Sequence, residues 1–388
     1  MRAKTTSGKV ISLFGFLFVL AALGCSGGTS DASSNETFST SSGDARFRVE
    51  TVVGGLEVPW AFVWLPNGSM LVTERPGRVR IIENGKLWPE PVFTVPDVEP
   101  GGESGLMDIS LHPEFAKNGF VYVAYAYGKS DHFVRVARYR YADGKFTDQK
   151  TIIEGIPAAQ SHAGTRCRFG PDGKLYITTG DATDRALAQK IDSVNGKTLR
   201  LNDDGTIPQD NPFFGKEGYR SEIWTIGHRN AEGLAWQPET GLMFQTEHGP
   251  SGFDGPGGGD EVNIVERAKN YGWPTIHHTQ TQAGLESPLL EYTPACAPGS
   301  AMFYNGSVFT AFKGNFFFGC LVGRRIIRVV LDGRKVVSQE NLLEKTYGRI
   351  REMEQGPDGY IYFSTSNRDG RGSPAKDDDR IMRLVPVK

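Results

Sequence analysis

The stretch FGPDGKLYITT, residues 169–179, contains a pattern that recurs along the chain: an apolar residue, a Pro-Asp-Gly turn and an apolar strand. QGPDGYIYFST at 355–365 and VWLPNGSMLVTE at 63–74 repeat it closely. Proline presets φ for a tight turn and glycine accepts a positive φ, so each copy predicts two strands joined by a turn. Weaker copies or strand pairs lie at 111–123, 236–244 and 307–331.

Repeats at this spacing, each with room for one four-stranded blade, are typical of β-propellers. Five or six such units are visible, which predicts an all-β, six-bladed β-propeller with long inserted loops. A pair of packed sheets would not explain the recurring turn. The 48 glycines and 22 prolines agree with many short strands and turns, and helical periodicity is scarce, with one short helix expected near 186–194.

The first residues have the pattern of an export signal. A basic start is followed by an apolar run that ends in Leu23-Gly24-Cys25, which predicts a signal peptide over 1–24 and lipidation of Cys25. An ordinary cleaved signal with an incidental cysteine is the alternative. The polar segment 25–45 is expected to be a disordered tether, and 46–388 the propeller domain.

A lipid at Cys25 would attach the protein to a membrane, and Ser26, rather than Asp, after it favours the outer membrane facing the periplasm. The formal net charge of −2 gives no indication of nucleic-acid binding. The domain has three further cysteines, for which a Cys296–Cys320 bridge is one possibility and burial as free thiols is the other.

Polar clusters fall between the turn-strand units, where the loops of a propeller can meet at one mouth. His162, just before a strand, is a candidate general base because imidazole is the side chain that ordinarily gains and loses a proton near neutral pH. Arg229 and Asn230 place a cation and an amide side by side. Arg349 and Arg351, spaced by two, share one strand face and favour an anionic ligand.

A glycine-rich loop begins at Gly249-Pro250 and ends at Asp260-Glu261. Exposed carbonyls beside carboxylates are oxygen ligands suited to Ca²⁺, although the spacing is not that of an EF-hand. The chain contains no P-loop, no dinucleotide fingerprint, no Gly-x-Ser-x-Gly and no Cys-x-x-Cys. These absences argue against nucleotide cofactors and against a serine hydrolase of that type.

In this order, the motifs resemble those of the glucose/sorbosone dehydrogenase family, which includes the pyrroloquinoline quinone (PQQ) aldose sugar dehydrogenases. The resemblance covers about 47–387 and implies a six-bladed propeller. Its most specific motifs are Gly105-Leu106 through Phe115, Gly227-His228-Arg229-Asn230, Glu247-His248-Gly249-Pro250, Asp260-Glu261-Val262-Asn263 and Asn270-Tyr271-Gly272-Trp273-Pro274.

The resemblance implies that His162 takes the proton from the sugar's anomeric hydroxyl while hydride passes to PQQ, so that an aldose becomes a lactone. Arg229 and Asn230 match residues that contact the cofactor and polarise its carbonyl. Arg349 and Arg351 match a cationic pair on its carboxylates. A periplasmic or artificial acceptor would then receive the electrons.

The resemblance also implies calcium. Gly249 and Pro250 match positions whose backbone carbonyls hold the cofactor's Ca²⁺, and Glu261 and Tyr271 match a separate, structural Ca²⁺ site.

Three departures from the family pattern bear on cofactor binding. Glu103 stands where glutamine is usual among cofactor contacts, and Val322 stands where a cofactor-binding lysine is common. The loop 251–259 is longer than usual and contains a second Gly-Pro, Gly255-Pro256. Two other functions therefore remain open: a non-catalytic, calcium-stabilised propeller that binds carbohydrate or protein at the cell surface, and a metal-dependent lactonase, which would need several carboxylates converging on a metal.

Overall fold

The computed structural model describes residues 36–129 and 131–387. The predicted signal peptide, 1–24, and the predicted lipidation site, Cys25, lie outside these residues. The described chain forms six small antiparallel sheets arranged as a six-bladed β-propeller, which confirms the predicted fold. The first strands of successive blades pack side by side around the ring axis.

Two strands precede the first complete blade: β1 (Thr37–Ser39) and β2 (Arg46–Val53). The first blade contains β3 (Pro59–Trp64), β4 (Met70–Glu74), β5 (Arg78–Glu83), β6 (Lys86–Leu87) and β7 (Phe93–Thr94). The second contains β8 (Leu106–Leu111), β9 (Phe120–Tyr127), β10 (Phe133–Ala142) and β11 (Lys145–Pro157). The third contains β12 (Cys167–Phe169), β13 (Leu175–Thr179), β14 (Lys197–Leu201) and β15 (Ile223–Ile226).

The remaining blades follow the same plan. The fourth contains β16 (Ala231–Trp236), β17 (Met243–Glu247), β18 (Asp260–Val265) and β19 (Leu290–Tyr292). The fifth contains β20 (Pro298–Phe303), β21 (Phe316–Cys320), β22 (Arg325–Asp332) and β23 (Lys335–Leu342). The sixth contains β24 (Ile350–Gln355), β25 (Ile361–Thr365) and β26 (Ile381–Pro386).

The two ends of the described chain close the ring. Strand β2 pairs with β26, with Val49 opposite Leu384, so the sixth sheet has the order β1-β2-β26-β25-β24. Ring closure of this kind leaves no long sheet edge unpaired between the first and last blades.

The ordered domain begins earlier than the expected boundary at 46. Phe38 on β1 stacks on Phe47 with ring centroids 5.9 Å apart. Asp44 accepts two hydrogen bonds from the buried guanidinium of Arg328, at 3.1 and 3.0 Å. An aromatic contact and an ion pair with a buried arginine therefore hold residues 37–45 on the propeller, although their sequence resembles a polar linker.

Helix is limited to short pieces. A four-residue α1 spans Phe115–Asn118, and 3₁₀ turns span Arg185–Gln189 and Thr310–Phe312. The helix expected near 186–194 is thus a single 3₁₀ turn, whose first residues are capped by the Asp184 side chain. No helix within 36–129 and 131–387 has the length and apolarity needed to cross a membrane.

Charged side chains fill part of the space between the inner strands. Arg166, 1% exposed, contacts Asp108 at 2.8 Å and Glu352 at 2.7 Å, and its guanidinium lies 4.5 Å from the centre of the Trp60 ring. Opposite charges from three blades therefore neutralise one another where water is excluded. This network links blades around the axis.

Candidate active site

Two kinds of connection emerge at the same end of the ring: the link that enters each first strand and the turn after each second strand. This follows from the antiparallel order of each sheet, in which the strand direction alternates. The loops at 101–105, 158–166 and 227–230 are links of the first kind, and those at 180–196 and 248–259 are turns of the second kind. The polar clusters of the sequence therefore lie at one mouth, as predicted.

His162 lies in the link between the second and third blades and is only 4% exposed. Its Nδ1 donates a hydrogen bond to Oδ1 of Asp181, 2.7 Å away. The other carboxylate oxygen of Asp181 accepts from Nε1 of Trp273 at 2.9 Å. Because the proton is held on Nδ1, the lone pair of the neutral ring is at Nε2, as a general base requires.

The backbone of His162 is held in an unusual conformation. Its φ of 57° is in the left-handed region, which costs a non-glycine residue on the order of 1–3 kcal/mol. Its N–H donates to Oε2 of Glu103 at 3.1 Å, and its carbonyl oxygen packs against Gly180 so closely that a Cβ there would lie 1.7 Å away. The fold therefore fixes the imidazole from both the backbone and the side chain.

Arg229 and Asn230 lie beside His162. The backbone carbonyl of Arg229 accepts the N–H of Asp181 at 2.8 Å. Oδ1 of Asn230 accepts the N–H of Gly164 at 2.9 Å, so the amide supports the loop that carries the imidazole. The three residues predicted as base, cation and amide are therefore brought together.

The long loop 251–259 covers this group. The Phe253 ring lies nearly parallel to the His162 ring, with centroids 5.8 Å apart, and is itself 68% exposed. Oδ2 of Asp254 accepts from Nε of Arg229 at 2.7 Å, and Oγ of Ser251 accepts from Nη2 at 3.1 Å. The Phe253 ring thus shields the His162 imidazole, and the Asp254 carboxylate of the same loop forms an ion pair with Arg229.

A cavity of about 330 Å³ is lined by Glu103, whose carboxylate accepts the His162 N–H. His162, Arg229 and Asn230 themselves are not among its lining residues. The volume of the cavity is at the lower end of the usual range for small-molecule sites. Acidic and basic side chains and the glycine-rich loop line the cavity. Its lining residues include Arg75, Glu103, Glu232, Gly249, Pro250, Val322, Arg349, Arg351, Asp369 and Arg371.

Arg349 and Arg351 both reach this cavity, as their spacing predicted. Nε of Arg349 donates to Oδ2 of Asp369 at 2.7 Å, and Nη1 of Arg351 donates to Oε2 of Glu232 at 3.0 Å. Burial lowers the pKa of the Arg349 guanidinium, although Asp369 opposes that shift. Two buried cations are thus fixed in orientation by carboxylates of the chain.

Glu103, which departs from the family pattern, has its charge balanced locally. Burial raises its pKa, but the charge of His248, a hydrogen bond from Nη1 of Arg371 and the N–H of His162 together lower it to about 2. The carboxylate is therefore ionised and paired at neutral pH. It presents the cavity with an ion pair rather than with an isolated negative charge.

The first Gly-Pro of the long loop lies at the cavity. Gly249 and Pro250 line it, whereas Gly255 packs against the Pro250 ring. Oδ1 of Asp260 accepts the N–H of Gly249 at 2.8 Å. Within the described chain the carbonyl oxygens of Gly249 and Pro250 accept no hydrogen bond, so they fit a hard cation that prefers oxygen ligands.

Glu261 and Tyr271 do not line the cavity. Glu261 is opposite Glu247 on the neighbouring strand. Burial, and to a lesser extent the negative charge of Glu247, raise the pKa of Glu261 well above the usual range. Glu247 also accepts from Nδ1 of His228 at 2.8 Å, and the His228 ring stacks on Tyr271. The hydroxyl of Tyr271 donates a hydrogen bond to the carbonyl of Ile264 and accepts one from the N–H of Glu266. Because the hydroxyl is committed to these partners, the backbone carbonyl of Tyr271 is the atom that could ligate a cation.

No group of three or more His, Cys, Asp or Glu side chains is arranged to hold a metal ion among the residues that the structure describes. Backbone carbonyls would therefore have to supply much of any calcium site. The three cysteines of the domain are buried free thiols and form no bridge.

Sequence reasoning did not assign the roles of several residues of the site. Asp181 and Trp273 orient the imidazole, and Arg75 and Arg371 line the cavity. Arg75 and Asp181 occupy matching places, within two residues of the end of the second strand of a blade. Aligning the blades on that strand would have selected both.

The chain is similar in sequence to known sugar dehydrogenases. The profile of the Glucose / Sorbosone dehydrogenase family matches residues 56–382. The aldose sugar dehydrogenase YliI of Escherichia coli K12 is 35% identical over 346 residues, covering 84% of this chain and 92% of the relative. The quinoprotein glucose dehydrogenase B of Acinetobacter calcoaceticus is 31% identical over 271 residues, covering 61% of this chain and 54% of the relative.

Solved structures have the same fold. The PQQ-bound aldose sugar dehydrogenase of Streptomyces coelicolor superposes with a TM-score of 0.78 at 31% identity, covering 88% of this chain and 99% of that one. The apo aldose sugar dehydrogenase of Escherichia coli superposes with a TM-score of 0.79 at 33% identity, covering 88% and 100%.

Proposed function

This chain belongs to the glucose/sorbosone dehydrogenase family, and from that membership and the geometry of the mouth we propose that it oxidises aldose sugars to lactones with PQQ and Ca²⁺. The observation that carries the proposal is the Asp181–His162 pair, which Glu103 links to a cavity that four arginines line. Bound PQQ would supply the carbon that accepts two electrons and a hydrogen from the sugar.

The donor set of the cavity fits this group. Guanidinium groups match carboxylates in planar, two-point contacts, and PQQ is a tricarboxylate. Arg349 and Arg351 would hold carboxylates of the cofactor, and the backbone carbonyls of Gly249 and Pro250 would hold its Ca²⁺. Glu261 and the carbonyl of Tyr271 would contribute to a structural Ca²⁺ site.

His162 performs the proton chemistry in this proposal. Its Nε2 removes the proton of the anomeric hydroxyl as the hydrogen on the same carbon leaves with its electron pair, which turns the hemiacetal into a lactone. Asp181 fixes the ring and stabilises the imidazolium that forms. Arg229 would polarise the electron-accepting carbonyl once Asp254 has released it.

The same site argues against the lactonase. The carboxylates that reach the cavity are committed to other groups, since Glu232 and Asp369 pair with arginines and Asp260 accepts backbone N–H groups. A carboxylate cluster around a metal would need them free. Export and a lipid anchor at Cys25 in the outer membrane remain part of the proposal on the strength of the sequence alone, with a periplasmic or artificial acceptor taking the electrons.

Reconstitution tests the proposal. The purified domain is mixed with PQQ and Ca²⁺, and dye reduction is followed with a panel of aldoses while the lactone is identified by mass spectrometry. We expect oxidation by the wild type and its loss in His162→Ala. The matched control is His112→Ala, which lies beyond β8 at the other end of the ring. Failure of the wild type to bind PQQ would favour the non-catalytic binding protein instead.

A further inference from the structure

We propose that Arg75 supplies the cation that the family pattern places at Val322, and that it binds a carboxylate of the anionic cofactor in this cavity. The inference rests on the proposed function, because the anion is identified through it. It assigns a binding role to a residue that no motif of the sequence indicated.

Arg75 stands at a rigid point of the mouth. It follows β4 directly, and its N–H donates to the carbonyl of Val58 at 3.1 Å. Its own carbonyl accepts the N–H of Leu106 at 2.9 Å, and a Cβ on Gly105 would come within 2.8 Å of its Cγ. The backbone and the first part of the side chain are therefore held in place, which limits the entropy lost when the guanidinium binds a ligand.

The charge of Arg75 is not balanced by a hydrogen-bonded carboxylate, unlike that of its neighbours. Of the cavity arginines in the described part of the chain, Arg349, Arg351 and Arg371 each hydrogen-bond to a carboxylate. Arg75 instead donates from Nη1 to the carbonyls of Gly102, at 2.6 Å, and Asp369, at 3.2 Å.

The surroundings of Arg75 favour an incoming anion. Burial and the neighbouring charge of Arg351 lower the pKa of its guanidinium, and the carboxylates of Asp369 and Glu57 only partly oppose that shift. A further negative charge would therefore stabilise the cation. Its remaining N–H donors form no hydrogen bond within the described chain, and a guanidinium presents them in a planar fork that matches a carboxylate.

Val322 and its basic neighbours do not provide this charge. The Val322 side chain lines the same cavity, is 57% exposed and offers only methyl groups. Arg324 and Arg325 are not among the lining residues, and Arg325 lies 3.8 Å from Glu344. The adjacent chain therefore offers no substitute cation, whereas Arg75, from another blade, lines the same cavity.

Titration of PQQ into the domain in the presence of Ca²⁺, followed by the absorbance of the quinone, tests the inference without relying on turnover. We expect Arg75→Gln to weaken PQQ binding by about 10- to 100-fold, the usual effect of losing one charged hydrogen-bonded contact. Adding Val322→Lys to Arg75→Gln should restore most of that loss. Arg78→Gln, three residues away and bonded to Glu57 and Glu74, is the matched control and should bind as the wild type does.

The outcomes separate the two levels of the argument. If the wild type binds PQQ and folded Arg75→Gln binds it equally well, the role of Arg75 is refuted and the proposed function stands. If the wild type binds no PQQ, both fall. Should Arg75→Gln fail to fold, Arg75→Lys keeps the charge but loses the fork. Weaker binding by that variant supports the inference, and unchanged binding contradicts the two-point contact.

Discussion

Nδ1 of His162 lies 2.7 Å from Oδ1 of Asp181, and both side chains are buried at the mouth of the ring. The carboxylate is fixed in turn by the Trp273 indole and by the N–H of Thr183, at 2.9 and 2.8 Å. Asp181 is held in place by its own partners and in turn orients the imidazole. It therefore has the same role as the carboxylate that orients the histidine of a catalytic triad.

Asp181→Asn tests this relationship. The amide keeps the shape of the carboxylate but can neither stabilise the imidazolium nor enforce the same tautomer, so we expect kcat for sugar oxidation to fall by about 100-fold or more. Steady-state kinetics with PQQ and Ca²⁺ would measure it. Asp143→Asn, in an exposed turn between β10 and β11, should leave kcat unchanged. A normal kcat for Asp181→Asn would remove this residue from the mechanism.

Phe253 shields the imidazole, because its ring stacks on that of His162. We expect Phe253→Ala to make His162 react several times faster with diethyl pyrocarbonate, read by mass spectrometry of the peptide that carries this histidine. Phe214→Ala removes another exposed aromatic ring and serves as the control. Equal rates in the wild type and in Phe253→Ala would show that this phenyl ring does not limit access.

Gly180 is required by the close approach of the His162 carbonyl, which would lie 1.7 Å from a Cβ at this position. Gly180→Ala should therefore destabilise the domain by about 3 kcal/mol or more, since backbone rather than a flexible side chain must move. Urea unfolding would measure the free energy. Gly257→Ala, where a Cβ meets nothing within 4 Å, is the control. A loss below about 1 kcal/mol would mean that the loop can move aside.

Glu103 links stability to pH. Its pKa is depressed in the fold, from 4.5 to about 2, so its ionised form stabilises the protein above pH 4.5, and that stabilisation is lost as the pH falls toward 2. Glu103→Gln should cost up to about 3 kcal/mol at pH 7 and clearly less near pH 3. Denaturant unfolding at both pH values checks this, with the exposed Glu90→Gln as the control. A cost that does not change with pH would contradict the ion pair with Arg371.

The repeated turn and strand predicted the fold because each copy is local: proline, glycine and the following apolar residues act within a dozen positions of one another. Ring closure could not be predicted from local patterns, since β2 pairs with β26 more than 300 residues away and no local sequence signal marks the pairing. The order in 37–45 was missed for the same reason, because Asp44 is held by Arg328 from a distant blade.

The site could be predicted in part. His162, Arg229, Arg349 and Arg351 stand in recognisable motifs, and the structure brings them to one end of the ring. Asp181 stands in an ordinary polar turn, Thr179-Gly180-Asp181, whose importance comes only from its contact with His162. The partners of Glu103 and Arg229 were likewise hidden, because Arg371 and Asp254 meet them across loops.

The central claim is that His162 takes a proton while the hydrogen on the sugar's anomeric carbon is transferred. The most direct test mixes PQQ- and Ca²⁺-loaded protein, without oxygen, with an aldose that carries either hydrogen or deuterium at that carbon, and follows loss of the quinone absorbance in a single turnover. We predict a primary isotope effect in the wild type and no absorbance change with His162→Ala. Equally fast reduction by the two proteins would contradict the account.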